Sequence, residues 1–162
     1  MAHVDKLIGR LVQHQVDFVI VGGFAAIAHG CSIRTQDLDV CCDFSGRNLL
    51  RLQAALDGIH PVHRMHPRRP PLALTPETCE GWKNLNLDTD EGQLDCLGSI
   101  AGVGGFQDVA RESIEVQLPA GPCRVLSLDA LIRAKEAAGR RRDQEAVLQL
   151  IAIRDRLRRE QP

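Results

Sequence analysis

Three aspartates and a pair of glycines carry the chemistry that can be read from this chain. Asp37 and Asp39 stand two residues apart in Arg34-Thr-Gln-Asp37-Leu-Asp39-Val40, and on a strand residues so spaced face the same side. Asp95 lies between Leu94 and Cys96 in a later apolar run, where a carboxylate is costly unless something compensates it. Gly22-Gly23 closes the run Phe18-Val-Ile-Val21 and opens an alanine-rich stretch. With no Cβ in the way, backbone N–H groups there can approach a phosphate chain. About three carboxylates can hold divalent ions roughly 3.5–4 Å apart. Phosphoryl transfer needs such ions, and an aligned nucleophile and leaving group, more than covalent help. Taken together, the set points to nucleotidyl transfer. Each part alone is ordinary: a D-x-D occurs in many turns, a glycine pair ends many strands, and Asp95 alone could sit at a sheet edge facing water.

The elements that must position these residues follow from periodicity. Val4, Leu7, Ile8, Leu11 and Val12 recur at helical spacing over 4–15. Residues 17–21 read as a buried strand that Gly22-Gly23 ends, 24–29 as a short helix stopped by Gly30, and 37–42 as a second strand. A helix over about 47–57 carries Leu49, Leu52 and Leu56 along one stripe. Prolines at 61, 67, 70, 71 and 76 break the middle, so 60–81 reads as a loop or lid. Leu85-Asn-Leu87 and Gln93-Leu-Asp95-Cys-Leu97 flank turn residues, a hairpin pattern. Gly98–Gly105 reads as a glycine-rich loop, and 113–118 with 122–126 as a second hairpin. Ser127 suits the N-cap of a helix over 128–138 that Gly139 ends. A last helix runs from about 143 to 159, with Val147, Leu148, Ile151 and Leu157 expected to face inward.

At 162 residues and 44% apolar, with 3% aromatic and no tyrosine, the chain makes one domain cored by aliphatic side chains. A net charge of −1 disfavours a sequence-independent nucleic-acid binder. No run of about eighteen apolar residues predicts a membrane span, and no signal-peptide core opens the chain, so a cytoplasmic protein without a membrane partner is expected. The six cysteines, at 31, 41, 42, 79, 96 and 123, form no C-x-x-C pair and read as small buried hydrophobes.

The residues also carry a resemblance. Val21-Gly22-Gly23-x-Ala25, His29-Gly30, Arg34-x-x-Asp37-Leu-Asp39-Val40 and Leu94-Asp95 resemble the DNA polymerase β-like nucleotidyltransferase superfamily, in particular its small bacterial minimal-nucleotidyltransferase type, some of which are toxin–antitoxin components. Asn86-Leu-Asp88-Thr-Asp90-x-Gly92-x-Leu-Asp95 and Val125-Leu-Ser-Leu-Asp129-x-Leu-Ile-x-x-Lys135-x-Ala-x-Gly139-Arg140-x-x-Asp143 extend the likeness over about 16–155. One departure is that the family's glycine motif is often Gly-Ser, whereas residue 23 is glycine. The resemblance implies an α+β nucleotidyltransferase (polymerase β-like) fold, a mixed sheet with helices packed on it, with 1–126 as core and 127–162 as a C-terminal helical segment. It implies Mg²⁺ or Mn²⁺, with Asp37 and Asp39 binding the ion that escorts a nucleoside triphosphate (NTP). Asp95 would help hold a second ion and favour deprotonation of an attacking hydroxyl. Gly22 and Gly23 would face the phosphates. Lys135, Arg140 and Arg34 could steer nucleotide or acceptor phosphate, or simply form ion pairs.

Other features have plainer readings. His60-x-x-His63-x-x-His66 has zinc-like spacing, but Pro61 and Pro67 interrupt it and a solvated loop is the better reading. Arg64, Arg68 and Arg69 make a basic loop that could meet an RNA acceptor, though a surface loop suits the low net charge. The arginines at 140–142, 154, 156, 158 and 159 read as a solvated helix face, and Trp82 as a core anchor. Three functions stay open: transfer of an NMP group from an NTP to a hydroxyl on RNA or protein, a non-catalytic module such as an antitoxin or regulatory partner, and a tRNA-modifying toxin with a cognate antitoxin.

Overall fold

The computed structural model describes residues 2–162, with side chains from His3 onward. Helix α1 (Ala2–Gln13) leads to strand β1 (Phe18–Val21), which runs directly into α2 (Gly22–Ala28). Then come β2 (Leu38–Cys42), α3 (Gly46–Ala55), β3 (Val62–His63), β4 (Asn84–Thr89) and β5 (Gly92–Leu97). Two-residue strands β6 (Ser99–Ile100) and β7 (Gly104–Gly105) pair with each other before α4 (Phe106–Arg111). Strands β8 (Ser113–Leu118) and β9 (Gly121–Leu126) form a hairpin, and α5 (Leu128–Ala138), a 3₁₀ turn (Arg141–Asp143) and α6 (Gln144–Glu160) close the chain. Among the described residues no helix is long and apolar enough to cross a membrane.

Seven strands form one mixed sheet in the order β3-β4-β5-β2-β1-β9-β8. Its centre is parallel where β2 lies beside β5 and β1 beside β9, and antiparallel between β1 and β2. That centre is buried, as its continuous apolar runs require: Val19, Ile20, Val40, Cys41, Leu94, Cys96 and Val125 are all at most 2% exposed. Helix α1 turns Leu7, Ile8 and Leu11 to the core, and α3 turns Leu49 and Leu52. Truncating one such leucine to alanine costs about 2–5 kcal/mol. Helix α2 packs on β1, β2 and α5, and α6 packs on α5. All six cysteines are free and buried, as expected of small apolar residues.

The boundaries foreseen from sequence hold to within a few residues, and the differences have causes. Gly22 and Gly23 do not lie between strand and helix but are the first two residues of α2. Helix α4 carries too few apolar repeats to register as periodic; its signal is local, since Asp108 Oδ2 accepts the Gly105 N–H at 3.2 Å. In α6 the inward positions are Ala146 and Leu150, whereas Leu148 is 69% and Leu157 45% exposed. Trp82 is no core anchor: it is 39% exposed and stacks on His63.

One buried polar side chain fastens the site's two supporting strands. Asn48, on α3, is 2% exposed. Its Oδ1 accepts the Asp17 N–H at 2.7 Å, and its Nδ2 donates to the Asp17 and Asp43 carbonyls at 3.0 and 2.7 Å. It therefore ties the entry of β1 to the exit of β2. Asn48→Ala removes three hydrogen bonds and leaves the Asp17 N–H and the Asp43 carbonyl without these partners, the Asp17 carbonyl keeping the Asp43 N–H at 3.4 Å. It should cost about 2–4 kcal/mol, read as a lowered midpoint in urea unfolding, and a change below about 0.5 kcal/mol would show that water replaces the amide.

Candidate active site

Asp39 and Asp95 are register partners on the parallel strands β2 and β5, so their α-carbons are about 5 Å apart. Asp37 precedes β2 by one residue, and all three line one cleft of about 880 Å³. Gly22, Gly23, Arg34, Lys135 and Arg140 line it too. The three aspartates, the glycine pair and the three cationic residues named with them from sequence thus line one cleft.

The glycine pair is there because nothing larger fits. Gly22 has φ +65°, and a Cβ on it would sit 2.9 Å from both Cβ and Cγ of Asp39. A Cβ on Gly23 would lie 2.7 Å from the Thr35 hydroxyl, whose oxygen donates to the Asp37 carbonyl at 3.4 Å. A serine at 23 would therefore meet Thr35. Thr35 was not foreseen, because its approach to Gly23 depends on the fold.

Charge at the site is uneven. Burial, then the neighbouring Asp95 and Asp37 carboxylates, push the Asp39 carboxyl up to about 6, although Arg140 and Lys135 oppose this. Asp95 is compensated instead. Arg64 Nη2 donates to its Oδ1, and Asn86 Nδ2 donates to the same oxygen at 3.0 Å. Arg64 Nε also stands 3.7 Å from Asp88 Oδ1, and both of these buried atoms lack a hydrogen-bond partner. Neither Arg64 nor Asn86 was foreseen at the site. The signal for Asn86 was present, because it is the register partner of Asp95 across the hairpin.

The basic loop is thereby largely spent. Arg64 pairs with Asp95, and Arg69 with Asp88, which removes most of the positive face that could have met RNA. Lys135 is 9% exposed, with Nζ 2.9 Å from Asp143 Oδ1, so it docks the turn before α6 against α5. Arg34 and Arg140 enter no ion pair among the described residues. His60 pairs with Asp90, His63 stacks on Trp82, and the three histidines do not converge.

Among the described residues no three His, Cys, Asp or Glu side chains stand close enough to hold an ion as arranged. The donor chemistry nonetheless fits a hard divalent cation. The donors are all oxygen, Asp39 is only partly compensated, by Arg140 and Lys135, and Gly22 leaves its carboxylate uncovered. Asp37 and Asp39 are free to serve, and Asp95 becomes available on exchanging Arg64 for the ion.

No family model matches the sequence, and a comparison with curated proteins gives no match. Solved structures do resemble the fold. A Thermotoga maritima protein assigned as a nucleotidyltransferase superposes with a TM-score of 0.59 at 15% identity, covering 92% of this chain and 90% of its own. ANT(2'')-Ia in complex with adenylyl-2''-tobramycin gives 0.56 at 14% identity, over 98% and 97%. The solution structure of the same antibiotic-resistance factor gives 0.57 at 15% identity, over 96% and 83%. The fold is that of the nucleotidyltransferases, as the sequence resemblance implied.

Gly22→Ala should destabilise the protein by about 3 kcal/mol or more, combining left-handed strain with the clash on Asp39. Gly58→Ala, at φ +81° with nothing within 4 Å, should cost only about 1–2 kcal/mol. Equal losses on urea unfolding would show that the contact with Asp39 is not tight.

Proposed function

We propose that this protein is a Mg²⁺- or Mn²⁺-dependent nucleotidyltransferase that moves an NMP group from an NTP to an acceptor hydroxyl. The observation that carries the reading is the register of Asp39 against Asp95, with Gly22 pressed on Asp39 and Asp37 beside them. Asp37 and Asp39 would hold the cation, and Asp95 would help hold it on release from Arg64. When bound, it neutralises phosphate charge and orients the triphosphate. Gly22 and Gly23 let the phosphates approach the backbone, and Arg34 and Arg140 steer them. The acceptor oxygen forms a bond to the α-phosphorus while the bond from that phosphorus to the bridging oxygen breaks. Pyrophosphate leaves with the electron pair, and the hydroxyl proton passes to Asp95. The helical segment 127–162 supplies one wall of the cleft, Lys135 fixing its position rather than touching phosphate.

Calorimetric titration of ATP, GTP, CTP and UTP with Mn²⁺ tests this reading. Asp39→Asn should weaken metal-dependent nucleotide binding at least about 100-fold, or about 2.7 kcal/mol. It removes a buried charge that two carboxylates repel, so the melting temperature should not fall. Unchanged nucleotide affinity would refute the site.

The pairing of Arg64 with Asp95 favours a second reading, a non-catalytic module of the same fold acting as an antitoxin or regulatory partner, since fold alone does not fix function. The tRNA-modifying toxin keeps less support, because it rested on the basic loop. In an enzyme, Arg64 competes with the cation for Asp95, so Arg64→Met should tighten Mn²⁺ binding about tenfold, or about 1.4 kcal/mol. Under the non-catalytic reading Mn²⁺ binds neither protein.

A further inference from the structure

The irregular 60–81 segment does more than cover a sheet edge. With the start of β4 it walls a cavity of about 570 Å³. This cavity is distinct from the cleft but shares Asn86 with it, the residue whose amide holds Asp95. Inside, the His63 imidazole and the Trp82 indole lie nearly parallel, with centroids 5.1 Å apart and planes 11° apart. Met65, also facing the cavity, is 73% exposed, so the fold leaves apolar surface there uncovered. Pro67, Pro70 and Pro71 stiffen the rim, which lowers the entropy lost on binding.

The charge at this cavity is as informative as its shape. None of its lining residues is Asp, Glu, Lys or Arg. Two of the segment's three arginines are turned into ion pairs, Arg64 with Asp95 and Arg69 with Asp88, and the third, Arg68, is exposed but does not line the cavity. Burial, then the neighbouring His66, hold the His63 imidazole toward its neutral form. In the lining itself a polyanion would find no lysine or arginine, and a polycation no carboxylate. A flat apolar body would find two stacked rings, the arrangement that aromatic ligands favour.

We propose that this cavity is the acceptor subsite, taking a neutral, hydroxyl-bearing small molecule whose planar apolar body rests on Trp82 and His63 and whose hydroxyl passes Asn86 toward Asp95. The inference rests on the nucleotidyltransferase reading and adds its acceptor class. In the reaction written above, this molecule supplies the attacking oxygen and gives its proton to Asp95.

Trp82 is the chain's single tryptophan, so its emission reports on this cavity. The probe is 4-bromobenzyl alcohol, a neutral ring with one hydroxyl and a bromine that quenches on contact. Quenching should saturate with a midpoint of about 1–5 mM, as expected for a fragment of this size. Ala73→Arg places a charged side chain in the cavity from an exposed position and should weaken the saturable component at least tenfold while leaving the melting curve in place. Spermine and a short oligouridylate should leave the emission unchanged. Linear quenching, saturable quenching that survives Ala73→Arg, or a saturable response to either charged probe would overturn the subsite. This binding needs neither nucleotide nor cation, and Ala73→Arg leaves the cleft untouched. Absence of a saturable quench in the unsubstituted protein, with Mn²⁺-dependent nucleotide binding intact, therefore overturns the subsite alone. Absent nucleotide binding with an intact quench overturns the transferase reading, and the acceptor role with it.

Discussion

Two carboxylates side by side on neighbouring parallel strands are the constraint around which this molecule is arranged. Their register brings the two acids together across one strand spacing, and burial with this neighbour raises the Asp39 carboxyl. Asp95 is relieved by Arg64 and Asn86. Asp39 is relieved only partly, by Arg140 and Lys135, and remains the least comfortable charge in the chain. A structure that selection had tuned for stability alone would not keep it. The result is an asymmetry, one acid compensated by Arg64 and Asn86 and the other facing the cleft with only partial compensation.

The fold was legible in the sequence to the extent that one rule acted at a time. Buried central strands showed as continuous apolar runs, and helix ends showed as Ser127 and Gly139, where capping chemistry is local. The D-x-D and the lone Asp95 were legible because a carboxylate in an apolar run contradicts its surroundings. What escaped was whatever depends on a partner distant in sequence. Arg64 looked like part of a basic surface until its partners on β4 and β5 were in view. Thr35 is seen to press on Gly23 only once the fold brings the two together. Trp82 was assigned to the core on its size, yet the sheet edge beside it offers no cover. Leu148 and Leu157 were counted inward because α6 is apolar on more than one side, and only contact with α5 decides which side is buried.

Identities of 14–15% to the solved structures are enough to carry a backbone plan and too little to carry a substrate. The division is visible here. The sheet centre and the glycine-started helix are dictated by the need to bring two strands and a turn together. The 60–81 segment is tied to that plan by the β3 edge strand and by Arg64 on Asp95, while its prolines and the adjoining Trp82 lie outside it. Loops held on a rigid scaffold are where such differences accumulate.

The six buried thiols have a consequence of a different kind. Cys41 and Cys42 lie in β2, Cys96 in β5 and Cys123 in β9, while Cys31 and Cys79 lie in connecting segments. Burial raises the thiols of Cys31, Cys41 and Cys123 and so keeps them in the unreactive protonated form. An alkylating reagent can reach each only when its own part of the chain opens. The native protein thus carries markers for local opening, from the sheet centre to the loops, and the order in which they react ranks the stability of each region against global unfolding.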